Sequence, residues 1–287
     1  MGKVINIHDR FLKAILVDKG LATHYFPDCL PASVSSLLDF STQTQLPGTY
    51  LSKELQETMS DIVYSCKSRG GELIKVSLLI EHKSHKYKNT PIQLGSYIFS
   101  GLQQQIDNKE KLSVIIPILL YHGKESWQYT TLADRFENFP KEWEGFIPDW
   151  ASPTGRPRLG VPDFDYVYNN LSTMEDEELN ALSNQFLAAS FLTLKHYMEG
   201  RWLDENAVRV FNLAADAPGN LSEQFAVYFL KYSESNRARI VEILESVPKP
   251  VKEKIMSTLD FFKELGLEEV RKEGIRKGLE EGRKEGR

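Results

Sequence analysis

The stretch that decides the fold is DIVYSCKSRGGELIKVSLLIEHK, residues 61–83. Two apolar runs rich in β-branched residues, 62–66 and 73–80, flank a polar segment that contains Gly70 and Gly71. Adjacent glycines supply the positive φ angles that a tight hairpin turn requires. The pattern predicts a β-hairpin in which the numbers of paired residues add up to roughly 141. Asp61 is then expected opposite Ile80 or Glu81, at the open end.

The end of this hairpin is a candidate site. Strand alternation places Glu81 and Lys83 on one face, with His82 pointing away. Together with Asp61, two carboxylates and one ammonium then converge at the end of an apolar ribbon. The alternative is a surface salt bridge, worth about 0–1 kcal/mol. The spacing alone leaves both interpretations open.

Composition limits the class of protein. The chain has 287 residues, of which 41% are hydrophobic and 26% charged, as expected for a soluble globular protein with a sizeable core. The formal net charge is −5, so nucleic acid would have to contact a local basic patch. Cys29 and Cys66 fit neither a zinc spacing nor a disulfide framework, which favours a reducing cytoplasm. No membrane association is expected, because no apolar run approaches the ~20 residues of a membrane span.

Several elements are predicted around the hairpin. A helix is expected over 8–21, with Asp9 as its N-cap and Gly20 as its stop, and a second helix over 28–38. Pro91 is expected in the first turn of a helix over 92–106. The predicted inner face of that helix consists of Ile92, Gly95, Ile98, Phe99 and Leu102.

The run 112–121 (LSVIIPILLY) predicts a buried central strand, in which a bulge or a local sheet edge accommodates Pro117. A packed irregular region follows over 134–162, and 163–171 is a candidate strand. Residues 175–247 predict amphipathic helices, including 178–199 and 221–232, and 251–265 a last helix. The tail over 267–287 has a glycine every fourth residue over part of its length, which is typical of a frayed solvated helix or coil. A self-association seam is the alternative.

The order of helix, strand, strand, helix and strand, with the pattern D-x₁₉-E-x-K, resembles the PD-(D/E)xK nuclease fold, although Ser60 stands before Asp61 in place of proline. The chain more closely resembles the recombination-promoting nuclease (Rpn) family, also labelled as transposases. The resemblance covers roughly residues 8–125 and, less specifically, the tail. Its segments are HDRFLKAIL (8–16), SDIVYSC (60–66), LLIEHKS (78–84), PIQLGSYI (91–98) and IPILLYHG (116–123).

The resemblance implies an α/β fold with a PD-(D/E)xK restriction-endonuclease-like core, in which helices flank a mixed sheet, and a helical C-terminal region. Four parts are predicted: the nuclease core (1–130), an irregular extension packed on it (131–170), a helical region (171–265) and a charged tail (266–287). A homodimer through the helical C-terminal region is a candidate assembly.

The resemblance also implies hydrolysis of DNA with Mg²⁺ or Mn²⁺ as cofactor. Asp61, Glu81 and the backbone carbonyl of His82 would bind the metal, since Mg²⁺ prefers hard oxygen ligands. Lys83 would hold the attacking water or stabilise the transition state. Gln93 matches a polar position of the family and would orient water or phosphate.

Other charged residues carry two interpretations each. Asp9 is a candidate second-shell acid, although an ordinary N-cap explains it as well. Candidate contacts to the DNA backbone, which solvated loop charges explain equally well, are Lys67, Arg69, Lys86 and Lys88. The histidines His8, His82 and His122 are interpreted as ordinary loop or strand-edge residues.

The predicted function is a metal-dependent DNA endonuclease acting in recombination or mobile-element processes. Two alternatives remain: a catalytically inactive relative that binds DNA or protein, and a toxin-like RNase. No separate DNA-recognition module is identified, so the sequence predicts no base preference.

Overall fold

The computed structural model describes residues 7–46, 61–80, 87–135, 164–219, 221–235, 237–249 and 252–253. The chain divides into two compact units, Met1–Glu178 and Leu179–Arg287. The division into four parts and dimerisation through the helical region stay predictions. Within the described residues, no helix is long and apolar enough to span a membrane.

The first unit is a mixed α/β structure, as predicted. Its described helices are α1 (Ile7–Val17), α2 (Lys19–Cys29), α3 (Ala32–Ser35) and α4 (Thr90–Asp107), with a 3-10 turn at Ala133–Arg135. Its strands are β1 (Leu38–Gln45), β2 (Asp61–Ser68), β3 (Leu73–Ile80), β4 (Ile115–Tyr121) and β5 (Val167–Asn170). They form one sheet in the order β1-β2-β3-β4-β5. The pairs β1/β2 and β2/β3 are antiparallel, whereas β3/β4 and β4/β5 are parallel.

The predicted hairpin is confirmed as β2–β3, but its register differs from the prediction. Asp61 pairs with Leu79, not with Ile80 or Glu81. The reason lies in the turn, where the Ser68 N–H donates to the Glu72 carbonyl at 2.7 Å. This closing pair leaves a three-residue loop, with Gly71 at φ 96°, instead of a turn centred between the two glycines.

The first predicted helix is two helices. Its apolar residues Phe11, Leu12, Ile15 and Leu16 are buried, but Asp9 lies inside α1 and is not an N-cap. Gly20 does not stop a helix, because it lies in the first turn of α2. The N-cap of α2 is Asp18, whose carboxylate accepts a hydrogen bond from the Leu21 N–H at 3.0 Å.

The predicted helix over 28–38 is wrong. Leu30 has extended backbone angles (φ −83°, ψ 145°), as expected of a residue that precedes proline. Only the four residues of α3 are helical after Pro31, and β1 begins at Leu38. The sequence analysis missed β1 because its polar residues, LDFSTQTQ, lack the apolar alternation of a half-buried strand.

Helix α4 is confirmed, with Pro91 in its first turn, but its predicted inner face is confirmed only in part: Gly95 is buried, and Ile98 and Leu102 pack against a core cluster. Ile92 and Phe99 are 47% and 55% exposed. The helix has apolar residues on more than one side, and the side with Ile92 and Phe99 is exposed. Its buried residues are Thr90, Pro91, Leu94, Gly95, Tyr97, Gly101 and Gln105.

Strand β4 contains Pro117 without a shift in register against β3. The pairing with β5 starts only at Ile118, so Pro117 stands at a local edge of the sheet on that side. This confirms one of the two predicted accommodations. The strand predicted over 163–171 is confirmed as β5.

The second unit consists of helices where it is described. Helix α5 (Asp176–Asn180) spans the boundary in sequence, and α6 (Gln185–Lys195), α7 (Gly200–Leu213), α8 (Leu221–Tyr232) and α9 (Arg237–Ser246) follow. The bounds predicted for α8 are confirmed. The helix predicted over 178–199 is wrong, because it is interrupted before α6, where Asn184 caps the Leu187 N–H at 3.0 Å. Nearly all of the predicted segments 134–162, 251–265 and 267–287 lies outside the described residues.

Candidate active site at the carboxyl edge of the sheet

Four strands are aligned in one row of paired residues. Asp61 of β2 pairs with Leu79 of β3, Leu79 with Leu119 of β4, and Leu119 with Tyr168 of β5. The parallel strands β3, β4 and β5 therefore end at the edge where the antiparallel β2 begins. We call this the carboxyl edge. In open α/β sheets, ligands bind preferentially outside the carboxyl ends of the strands.

The first turn of α4 packs at the same edge. Leu94 belongs to a buried cluster with Leu119, Tyr121, Trp127 and Tyr166. The register and this cluster together bring the start of β2 and the start of α4 to one end of the sheet.

Gln93 lies next to Leu94 and is half-buried. Its N–H donates to the Asn89 carbonyl at 3.1 Å. Its side-chain Oε1 is buried and has no hydrogen-bond partner within the described part of the chain. A buried acceptor without a donor is costly, so this oxygen is available to a bound molecule.

The other predicted site residues are only partly described. Asp61 is the first residue of β2, and Asp9 is the third residue of α1. Outside the described residues lie Glu81, His82, Lys83 and Lys86. Among the described residues, no group of three or more His, Cys, Asp or Glu side chains is placed to hold a metal ion.

Lys67 and Arg69 lie away from this site. Lys67 follows Asp61 by six positions along β2, which corresponds to about 20 Å. A hydrogen bond from Ser41 lowers the pKa of Asp39, and the charges of Arg69 and Lys67 lower it to a smaller extent. The structure therefore groups these two cations at the turn end of the hairpin.

Two histidines meet near the end of β4. The rings of His8 and His122 are 5.4 Å apart between centroids, and both residues are buried. The sequence analysis treated them as separate loop or strand-edge residues. Their distance in sequence gave no sign of the contact.

A pocket of about 400 Å³, which we call the basic pocket, is formed by Lys88 before α4 and by the segment after β4. The described residues that line it are Lys88, Ser126, Trp127, Gln128, Thr130 and Arg135. The sequence analysis named Lys88 but not Arg135. One feature of the sequence could have indicated Arg135. Segments that follow adjacent parallel strands leave the sheet at the same edge, and here the segments after β3 and β4 both carry cations.

The profile of the family described as "Putative transposase, YhgA-like" matches residues 6–216. The match covers more than half of the chain. The chain belongs to this family. The resemblance to the Rpn family expected from the sequence is thereby confirmed.

Curated relatives of this YhgA-like protein carry recombination-promoting nuclease names. RpnA of Escherichia coli (strain K12) is 30% identical over 120 residues, covering 42% of this chain and 41% of the relative. RpnD of Escherichia coli O157:H7 is 25% identical over 175 residues, covering 60% and 61%. RpnE of strain K12, named an inactive recombination-promoting nuclease-like protein, is 26% identical over 120 residues, covering 42% and 40%.

The chain thus spans only about 40% to 61% of the length of these relatives. No solved structure is significantly similar to it.

Proposed function

We propose that this YhgA-like protein is a metal-dependent endonuclease that hydrolyses DNA phosphodiester bonds, with Asp61, Glu81, Lys83 and Gln93 as its catalytic residues. The observation that carries the proposal is the carboxyl edge. Asp61 begins β2 there, β3 ends there at Ile80, and Gln93 stands in the first turn of α4. Glu81 follows β3 directly in the sequence.

The donor chemistry of the proposed residues fits Mg²⁺ or Mn²⁺. Asp61, Glu81 and the His82 carbonyl offer hard oxygen ligands, which these cations prefer. The buried Gln93 Oε1 is a further oxygen acceptor without a donor among the described residues. When bound, a divalent cation would supply Lewis acidity towards the scissile phosphate.

The remaining chemistry belongs to the side chains. The Lys83 ammonium would stabilise the negative charge that develops on the phosphate as the attacking water adds. Gln93 would accept a hydrogen bond from that water through Oε1 and orient it. Lysine suits the first role because its compact ammonium is a point charge on a flexible stem.

The names of two relatives support a nuclease, and the name of a third supports a second candidate function. RpnA and RpnD are named nucleases, whereas RpnE is named inactive. A non-catalytic relative that binds DNA or protein is therefore the alternative function. An active enzyme is favoured because the chain has the two carboxylates, Asp61 and Glu81, and the Lys83 ammonium that the proposed reaction uses.

The test is nicking of supercoiled plasmid by the full chain with Mg²⁺, with Mn²⁺ and with EDTA. We expect cleavage only with a metal, and losses of about 100-fold or more in Lys83→Ala and Glu81→Gln. Calorimetric titration of Mg²⁺ into both variants gives a readout besides activity. Glu81→Gln should weaken metal binding, and Lys83→Ala should keep it.

Lys111→Ala is the matched control, because it removes a lysine that precedes β4 at the opposite edge of the sheet and has no proposed role in binding. It should cleave like the unmodified chain. Equal nicking by every variant would identify a contaminant and overturn the proposal. Absence of cleavage with either metal, together with retained DNA binding, would establish the non-catalytic alternative. An RNA with the same sequence as part of the plasmid, incubated under the same conditions, distinguishes DNase from RNase activity.

A further inference from the structure

From the basic pocket we infer a second binding site, which holds a backbone phosphate of the nucleic-acid strand at a distance from the reacting phosphodiester. This inference rests on the proposed function, because it takes nucleic acid as the substrate class. The inference goes beyond the proposed function because the basic pocket does not include the catalytic residues. Arg135 is the principal side chain of this second site.

The charge of the basic pocket fits an anion. Lys88 and Arg135 both line it, and neither makes an ion pair with any described carboxylate. Ser126 and Thr130 add hydroxyl groups, and Gln128 adds an amide. Two cations with neutral hydrogen-bond donors around them are the groups with which proteins hold nucleic-acid phosphates.

Arg135 gives the most direct evidence for a missing ligand. Its Nε is buried and has no hydrogen-bond acceptor in the described part of the chain. A buried donor left unsatisfied costs about 1–3 kcal/mol, and more when the group is charged. A phosphate oxygen in the basic pocket would accept this hydrogen bond, and guanidinium groups match the geometry of phosphate.

Tyrosine hydroxyls fix the wall of the basic pocket in place. Tyr121 donates to the Glu125 carbonyl at 2.9 Å, Tyr168 to the Trp127 carbonyl at 2.8 Å, and Tyr166 to the Thr130 carbonyl at 2.8 Å. The Trp127 ring also packs edge-on against Tyr121, with centroids 4.9 Å apart. The donors therefore stand on backbone that is anchored to β4 and β5, which lowers the entropy lost on binding.

The neighbouring carboxylates have other partners. Asp134 accepts hydrogen bonds from the N–H and the hydroxyl of Thr131, at 2.7 and 3.0 Å. Asp165 accepts one from the Tyr129 hydroxyl at 3.0 Å. Neither carboxylate is among the described residues that line the basic pocket.

The sheet sets the distance between the two sites. Asp61 and Tyr168 stand three strands apart in one row, which corresponds to about 14 Å at the usual strand spacing. Tyr168 holds Trp127 at the basic pocket. The phosphate bound in the basic pocket would therefore belong to a different nucleotide from the cleaved bond.

The test measures binding of a fluorescein-labelled single-stranded DNA oligonucleotide in EDTA, by anisotropy over a salt series. Arg135→Gln should weaken binding about tenfold, since a hydrogen bond to a charged group is lost. The slope of log affinity against log salt should fall by about one phosphate contact. Lys88→Gln should lower the same slope. Arg135→Lys should restore the slope but only part of the affinity, because it keeps the charge and lacks the Nε donor.

Lys111→Gln is the control, since it removes one positive charge before β4, away from the basic pocket. It should bind almost like the unmodified chain, and circular dichroism confirms that each variant is folded. Equal binding by Arg135→Gln and Lys111→Gln would overturn the inference. A third outcome would also overturn the inference, in favour of a site for small anions. In that case inorganic phosphate stabilises the unmodified chain but not Arg135→Gln, while Arg135→Gln still binds the oligonucleotide.

The measurement is independent of cleavage because EDTA removes the metal. Loss of affinity in Arg135→Gln, in a chain that cleaves nothing, would support the basic pocket and overturn the endonuclease. Metal-dependent cleavage by the unmodified chain, with unchanged DNA binding in Arg135→Gln, would support the endonuclease and overturn the basic pocket as a binding site.

Discussion

The Tyr64 hydroxyl donates a hydrogen bond to the Leu16 carbonyl at 2.9 Å, and this contact joins the central hairpin to the end of α1. The same hydroxyl lies 3.2 Å from the Val17 carbonyl. Tyr64 is fully buried, and burial raises its pKa, so it remains a donor throughout the physiological pH range. One phenol therefore satisfies carbonyls at the C-terminal end of a helix.

Tyr64→Phe should destabilise the first unit by about 1–2 kcal/mol, because the buried Leu16 carbonyl loses its donor. The measurement is the urea midpoint followed by tyrosine and tryptophan fluorescence. Tyr129→Phe is the matched control, since its hydroxyl bonds the exposed Asp165. That substitution should change stability by less than about 0.5 kcal/mol. Equal effects would show that the Tyr64 contact contributes nothing specific.

The two glycines of the hairpin should respond differently to alanine. Gly71 has φ 96°, which alanine adopts only with strain, whereas no positive φ occurs at Gly70. We expect Gly71→Ala to lower stability by about 1–3 kcal/mol. At Gly70 a Cβ would meet the Glu72 carboxylate, the end of a flexible and exposed side chain, so Gly70→Ala should cost less.

Thermal midpoints of the two alanine variants test this difference. An equal loss would mean that the loop does not depend on the conformation of Gly71.

The hairpin shows how far the sequence could predict this fold. Its two strands were predicted because both are apolar and lie either side of the paired glycines. The register was missed because nothing local distinguishes a two-residue from a three-residue loop; the Ser68–Glu72 pairing decides it. The inner face of α4 was misassigned in part, for a related reason. Apolar residues occur on several of its sides, and only the tertiary contacts select Leu94 over Ile92.

The candidate site, like the fold, could be predicted from the sequence only in part. Asp61 and Gln93 come from segments whose strand and helix were predicted, and the fold brings both segments to the carboxyl edge. Arg135 was not predicted, because its place beside Lys88 depends on the path of the chain after β4. Contacts between segments that are distant in sequence leave no periodic pattern to read.

Asp18 should contribute to stability as the N-cap of α2. Its carboxylate accepts from the Leu21 N–H at 3.0 Å, which satisfies one of the free donors of that helix. Asp18→Ala should lower the free energy of unfolding by about 1 kcal/mol. Asp18→Asn keeps an acceptor oxygen and should retain most of that stability. Chemical denaturation of both variants measures these free energies of unfolding. An equal loss of stability in the two variants would exclude a capping role for Asp18.

The buried Cys66 thiol should make the protein less stable at alkaline pH. Burial, with a smaller effect of the Asp39 carboxylate, raises the pKa of Cys66 to about 11. In the unfolded chain the pKa of a thiol is about 8.5, so the thiolate forms there first. Because the unfolded state loses its proton at lower pH, the stabilisation is complete below about pH 8.5. It is lost progressively as the pH rises towards 11.

Thermal midpoints of the unmodified chain and of Cys66→Ala between pH 8 and pH 11 test this expectation. Cys66→Ala should start lower, since it leaves a small cavity in the sheet, but its midpoint should fall less steeply. The slopes are therefore compared rather than the absolute values. Cys29 is present in both proteins, so its titration does not contribute to the difference. Parallel curves would mean that Cys66 does not couple protonation to folding.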